Sequence, residues 1–144
     1  MLWSKQHYYF DLDNWLTEHH ANFLRGGSKL IRNRSWFHMV NDSILSMPDK
    51  WEYPWYAAWD LAFHTLALDL VDHDFARGQL DLMLSDLYMH PSSQLPAYEW
   101  NFSDVNPPVH AFAALFNFVQ EEELGSADLA SLKEMFRKLL LNFI

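Results

Sequence analysis

Apolar residues recur at helical spacing over most of the chain, while glycine, proline and β-branched residues are sparse; together these favour helices. The first such segment, 8–24, carries Tyr9, Leu12, Trp15, Leu16 and Phe23 at near-helical intervals and stops at the RGGSK of 25–29. Residues 30–53 are less regular, and the MPDKWEYP of 47–54 reads as a loop. Pro54 then opens a helix over 55–71, because proline is tolerated in a first turn. A shorter helix is expected over 74–89, a long loop over 90–108, and a helix over 108–123 that begins at Pro108. Ser126 is a plausible N-cap for a last helix from 127 to the end, where Leu129, Leu132, Met135, Phe136, Leu139, Leu140 and Phe143 form a stripe.

An internal repeat is visible. Pro54 and Pro108 are 54 positions apart, and so are Phe75 and Leu129. Each unit reads as proline, nearly all-apolar helix, short turn, amphipathic helix. A helix apolar all round must be buried on all sides, and an amphipathic one can cover it. That alternation predicts an all-α fold, a portion of an (α/α)6 toroid with inner and outer helical hairpins. A helical solenoid would show the same alternation. The long loops before the inner helices would gather at one end, where a site is built. Two hairpins and one further helix do not close a ring, so the expectation is a single partial domain over 1–144, truncated at its C-terminal side.

Composition narrows the function. Half of the 144 residues are hydrophobic and 17% are aromatic, with seven Trp, so rings are in supply beyond the needs of packing. Such rings make platforms for the apolar faces of sugars. The net charge of −9, with no Lys/Arg run, argues against nucleic acid or an anionic membrane as partner. The absence of cysteine excludes disulfides and thiolate metal sites. No signal core or apolar stretch of membrane-spanning length stands out, so a soluble cytoplasmic protein is the expectation.

Within YPWYAAWDLAFHTLALDL (53–70), Asp60 is a carboxylate in an apolar and aromatic segment. An aspartate near a helix start is commonly placed there for the helix dipole. Here Trp55, Tyr56 and Trp59 would wall it, and desolvation keeps a carboxyl protonated towards neutral pH. That is the requirement for a general acid at a glycosidic oxygen. His64, four residues on, shares its face and could orient it. The loop QLPAYEWNFSDVNPP (94–108) offers Tyr98, Trp100 and Asn106 for stacking and hydroxyl contacts, or uses its rings as anchors to the core. DHDF (72–75) and the pair His19 and His20 match no closed metal site. EEEL (121–124) reads as a solvated helix end, and no phosphate loop or GxSxG is present.

WFHMVNDSILSMPDKWEYPWYAAWDLAFH (36–64) and QLPAYEWNFSDVNPPVHA (94–111) resemble the catalytic domain of glycoside hydrolase family 63, the processing α-glucosidases and their glucosidase or mannosylglycerate hydrolase relatives. The resemblance implies an (α/α)6 fold, no cofactor or metal, and an inverting exo-α-glycosidase acting on an oligosaccharide or small glycoside. The family's general acid is the aspartate of a Trp-Asp-x-x-Phe motif, which maps onto Trp59-Asp60-Leu61-Ala62-Phe63. Trp55, Tyr56, Trp59, His64, Tyr98, Trp100 and Asn106 then fall to the substrate pocket. The family's base glutamate belongs to a later segment, so the isolated chain is expected to be inactive and to self-associate through exposed apolar faces. The rival expectation is a non-catalytic helical-repeat binding module.

Overall fold

The computed structural model describes residues 4–143. It is a small mixed α/β domain, and this corrects the all-α toroid expected from the spacing. Among the described residues there are five α-helices and one two-stranded antiparallel sheet, in the order β1 (Lys5–Asp11), α1 (Leu12–Glu18), β2 (Val40–Ser46), α2 (Ala58–Leu68), α3 (His73–Met83), α4 (Val109–Leu124), α5 (Leu129–Phe143).

The error begins in the first segment. The expected helix over 8–24 is a strand followed by a helix of seven residues. In β1, Tyr8 and Phe10 pack against the core while His7 and Tyr9 face out, the two-residue alternation of a half-buried strand. Asp11 then switches the period: its carboxylate accepts from the Asn14 amide at 3.1 Å and caps α1. The partner strand lies in the stretch that looked irregular, with Lys5 paired to Ser46 and Asp11 to Val40.

Gln79 of α3 fastens β2 to the helices. Its amide accepts from Ser46 N at 2.9 Å and donates to Ile44 O at 2.9 Å, so it serves as a strand neighbour for that edge. Lys5 pairs with Asp72 and lies 3.8 Å from the Phe75 ring centroid, which ties β1 to the start of α3.

The helices expected over 55–71, 74–89, 108–123 and 127 to the end correspond to α2 to α5 with different bounds; Ile144 lies outside the described residues. Residues 55–57 are not helical: Ala57 is extended, and α2 begins where Ala58 N donates to Pro96 O at 3.0 Å. Asp128, not Ser126, caps α5, accepting from the amides of Ala130 and Ser131 at 2.9 and 3.2 Å. Ser126 instead closes α4, its amide donating to Glu121 O after Gly125 turns the chain at φ 73°.

Two apolar cores share α2. Leu61 joins the larger one, with Leu12, Leu16, Trp36, Leu45 and Tyr88. Ala58 and Ala62 face a smaller one with Leu80, Leu95 and Ala113. A core that holds both strands and the connecting loops is not an assembly of inner and outer helices.

Gly27 marks the tightest backbone approach. A Cβ there would meet Asn22 N at 2.5 Å and Asn22 O at 2.7 Å, atoms of the chain that cannot rotate away. Gly27→Ala is therefore expected to destabilise the fold by about 1–3 kcal/mol, read as a lower urea midpoint. An unchanged midpoint would show that this turn opens freely.

Candidate functional site

The two blocks 36–64 and 94–111 meet in space. Beyond the Ala58–Pro96 bond, the Trp36 and Phe102 rings meet edge-on at 4.9 Å, and just before the first block Asn33 donates to Trp100 O and Arg32 pairs with Glu99 at 3.0 Å. Leu95 packs in the same core as Ala58 and Ala62. The loop over 90–108 thus lies against the first turn of α2, where Asp60 stands.

Between them is a cavity of about 320 Å³. Trp59, Gln94, Leu95, Asn106, His110 and Asn142 are among its lining residues, with apolar closure from Leu139 and Phe143 of α5. Trp59 is 36% exposed, so one part of its ring is free. Among the described residues no Asp, Glu, Lys or Arg lines the cavity. Asp60 does not line it either; it follows Trp59 one residue round the helix.

Asp60 is half-buried, and desolvation raises its carboxyl above the usual range, against the opposing pull of His64 and of its own backbone amide. Asp81 is the other carboxyl raised by burial, but Arg77 and Lys138 oppose the shift there and it lies on α3, away from the cavity lining.

His64 does not reach the cavity. Its Nδ1 is 2.9 Å from Ser46 Oγ, and burial lowers its pKa. Ser46 is fully buried, so this contact has no access for a substrate and serves as a brace between β2 and α2.

Of the remaining sequence-assigned residues, the structure brings Trp59 and Asn106 together on the cavity. Tyr56 has no exposed surface; its hydroxyl donates to Met39 Sδ at 3.3 Å and its ring stands edge-on to Tyr8 and Tyr88. Trp100 stacks on Phe10 at 4.3 Å, and Trp55 packs on the same core. Tyr98 is 45% exposed and is not among the lining residues. These rings mostly anchor the loop to the core. His19 stacks on Trp15, Asp72 caps α3, and among the described residues no group of three or more acidic or histidine side chains is arranged to hold a metal.

Sequence reasoning missed His110. It is 4% exposed, its Nε2 donates to Leu80 O at 3.1 Å, and burial pushes its pKa down to about 4. The available signal was a lone histidine in the otherwise apolar VHAFAALF. Its linkage to stability has a definite sign. Below the ordinary value of 6.5 the unfolded chain takes up a proton that the fold excludes. Stability is therefore complete above that pH and falls as pH drops towards 4, by about 3 kcal/mol from this group. The urea midpoint should fall between pH 7 and pH 4.5 more steeply for the native chain than for His110→Gln. Parallel profiles would show that the imidazole titrates normally.

The comparisons with known proteins add one relationship. The chain is 47% identical over 151 aligned residues to YMR196W, an uncharacterized protein of Saccharomyces cerevisiae. The match covers 99% of this chain and 13% of the yeast protein, so the chain spans about an eighth of that relative's length. No family model matches the sequence. No solved structure matches it.

Proposed function

We propose that this chain forms part of an exo-α-glycosidase of α-glucosidase type, which hydrolyses terminal α-linked sugars of oligosaccharides or small glycosides with inversion. One observation carries the reading: Asp60, the aspartate of the Trp-Asp-x-x-Phe motif, is a carboxyl whose pKa desolvation raises, next to a partly exposed Trp59 that lines a cavity with amide and apolar side chains. In this reading Asp60 donates its proton to the departing glycosidic oxygen, and Trp59 supports the apolar face of the sugar ring. An inverting site needs a second carboxylate about 6.5–9.5 Å away with a water between. The family resemblance assigns that base to a segment beyond these 144 residues. The contact between the two resembling blocks supports the reading, since both would be needed at one site.

The proposal needs no cofactor and places the protein in the cytoplasm. Among the described residues no helix is long and apolar enough to cross a membrane. The test is a product-stereochemistry assay by NMR on a panel of α-linked disaccharides, using a full-length polypeptide that carries this sequence. Release of the β-anomer supports inversion; retention, or no release from any member of the panel, defeats the proposal.

A second reading, a binding module without catalysis, is favoured by an apolar groove of about 370 Å³ between α4 and α5, bordered by Leu115, Phe136, Leu140 and Phe143. Phe136 is 63% exposed and Leu115 56%, and adjoining exposed apolar side chains of this kind mark interaction surfaces. The isolated chain is expected to self-associate through it. Light scattering across a concentration series should show mass rising above 17.1 kDa, and Phe136→Glu should restore the monomer. A native chain monomeric throughout would contradict this.

A further inference from the structure

We propose that Ser28 is a phosphorylation site for an arginine-directed serine kinase, and that its phosphate seats beside Arg25 and His20 in a polar pocket next to α1. The inference is independent of the glycoside reading.

The sequence nominates two serines and the fold selects one. Arg25 stands three residues before Ser28 in RGGS, and Arg32 three before Ser35 in RNRS. Kinases of this class grip an arginine at that spacing with their own carboxylates, while the target segment lies extended in their cleft. Ser35 is held out of such a cleft. It belongs to a 3-10 turn, Arg34–Trp36, and the next residue, Trp36, is 1% exposed in the larger core. Extending that turn would draw Trp36 out of its packing.

Ser28 has no such anchor. Residues 27–31 have no regular structure, and Arg25, Ser28, Lys29 and Leu30 are exposed. No side chain from 25 to 30 is buried. Backbone bonds hold the stretch: the amides of Arg25 and Gly27 donate to Asn22 O at 3.1 and 2.7 Å, and that of Lys29 to His20 O at 3.3 Å. Extending it breaks these bonds and removes no buried side chain, the kind of local opening that exposed loops undergo. In the transfer, the Ser28 oxygen attacks the γ-phosphorus of Mg-ATP. The bond from that phosphorus to the bridging oxygen of ADP breaks, and the hydroxyl proton passes to the kinase's aspartate.

The new phosphate has a place to go. Thr17, His20, Arg25 and Ser28 line one pocket of about 120 Å³, and among the described residues no Asp or Glu lines it. Arg25 places Nη2 on Asp13 at 2.9 Å, which leaves other guanidinium N–H groups for a second acceptor. Between Glu18 and Asp42 the chain carries Arg25, Lys29, Arg32 and Arg34 and no acidic residue. A phosphate dianion therefore meets favourable charge here, although the chain as a whole has a net charge of −9.

The experiment incubates the folded 144-residue chain with Mg-ATP and a calmodulin-dependent protein kinase, which reads one arginine at this spacing, and locates phosphate by tandem mass spectrometry. Phosphate should appear on Ser28, with Ser35 modified about tenfold more slowly or not at all. Ser28→Ala, an exposed substitution, should abolish the modification. Arg25→Gln should lower kcat/KM by about tenfold or more, and Arg32→Gln should leave it within a few-fold. No phosphate on the native chain, Ser35 modified as fast as Ser28, or indifference to Arg25→Gln would each overturn the site. Seating of the phosphate is read on the fully phosphorylated native chain. Amide exchange over 25–30 should slow by about tenfold relative to the unmodified chain, and high salt should erase the difference. Exchange that is unchanged or faster would overturn the seating.

Discussion

Asp60→Asn, in a full-length polypeptide that carries this sequence, is expected to lower turnover of α-linked glucosides by about a hundred- to ten-thousand-fold with sugar affinity little changed. The amide keeps the shape of the carboxyl and removes the transferable proton, so the loss should appear in kcat and not in KM. The pH dependence has a sign. Desolvation raises Asp60 above the ordinary carboxyl range, so the acid form persists to higher pH and activity declines as pH rises through that raised value. The matched control is Asp81→Asn. Burial raises Asp81 as well, but Arg77 and Lys138 face it and no part of the cavity does. Its loss should leave turnover within a few-fold. An Asp60 variant that keeps more than about a tenth of native turnover removes the acid assignment. The isolated chain should release no sugar, because the resemblance assigns the base to another segment. Glucose release by the chain that vanishes in Asp60→Asn would show that a carboxylate within it acts as base.

The sequence conveyed helices best where one helix face packs and the other does not. The stripe Leu132, Met135, Phe136, Leu139 marked α5 to within two residues of its start. It conveyed the sheet poorly, for a physical reason. Tyr9, Leu12 and Trp15 happen to sit three apart across the boundary between β1 and α1, so a strand and a helix together imitate one longer helix. The real signal was the alternation of Tyr8 and Phe10 with His7 and Tyr9, ended by a capping Asp11. β2 was hidden because its buried residues include Asn41 and Ser46; the Asn41 Nδ2 donates to Leu87 O and the Ser46 backbone amide to Gln79 Oε1, contacts that no local pattern reveals. The repeat of 54 positions is real in the sequence, yet it aligns only α2–α3 with α4–α5 and says nothing about the strand-containing core, to which α2 and α3 contribute and α4 and α5 do not. Asp60 drew notice because a carboxyl among rings is anomalous in any fold, and its role stands as a proposal. The roles of Tyr56 and Trp100 were not legible, because a ring that meets a ligand and a ring that anchors a loop have the same side chain.

Arg77→Met should cost about 2–3 kcal/mol, the largest stability loss expected from a single polar side chain here. EEEL looked like a solvated helix end, but Glu121 is 3% exposed. Arg77 Nη1 donates to Glu121 Oε1 at 2.7 Å, and His73 Nε2 stands 3.4 Å from the same oxygen. On its other side His73 lies 2.5 Å from Asp69 Oδ1, which also accepts from Asn117 at 2.6 Å. Glu121 and Asp69 are therefore two buried carboxylates joined through one histidine, with Arg77 as the fixed cation that links α3 to α4. Removing one member of a fully buried pair costs about 3–5 kcal/mol because it strands the other charge. Arg77 keeps 27% of its side chain exposed, so part of its charge is screened and the lower figure applies. Methionine preserves most of the apolar stem, which isolates the guanidinium. Glu121→Leu alone should also destabilise, since it leaves Arg77 with only Asp128, 3.5 Å away and half-exposed. The double variant should lose clearly less than the two single losses added together, because no unpaired charge then remains between the helices. Urea unfolding of the four proteins at neutral pH measures this, with m-values expected to agree. Strict additivity, or a cost for Arg77→Met below about 0.5 kcal/mol, would mean that Arg77 and Glu121 are each solvated well enough in the fold to stand alone.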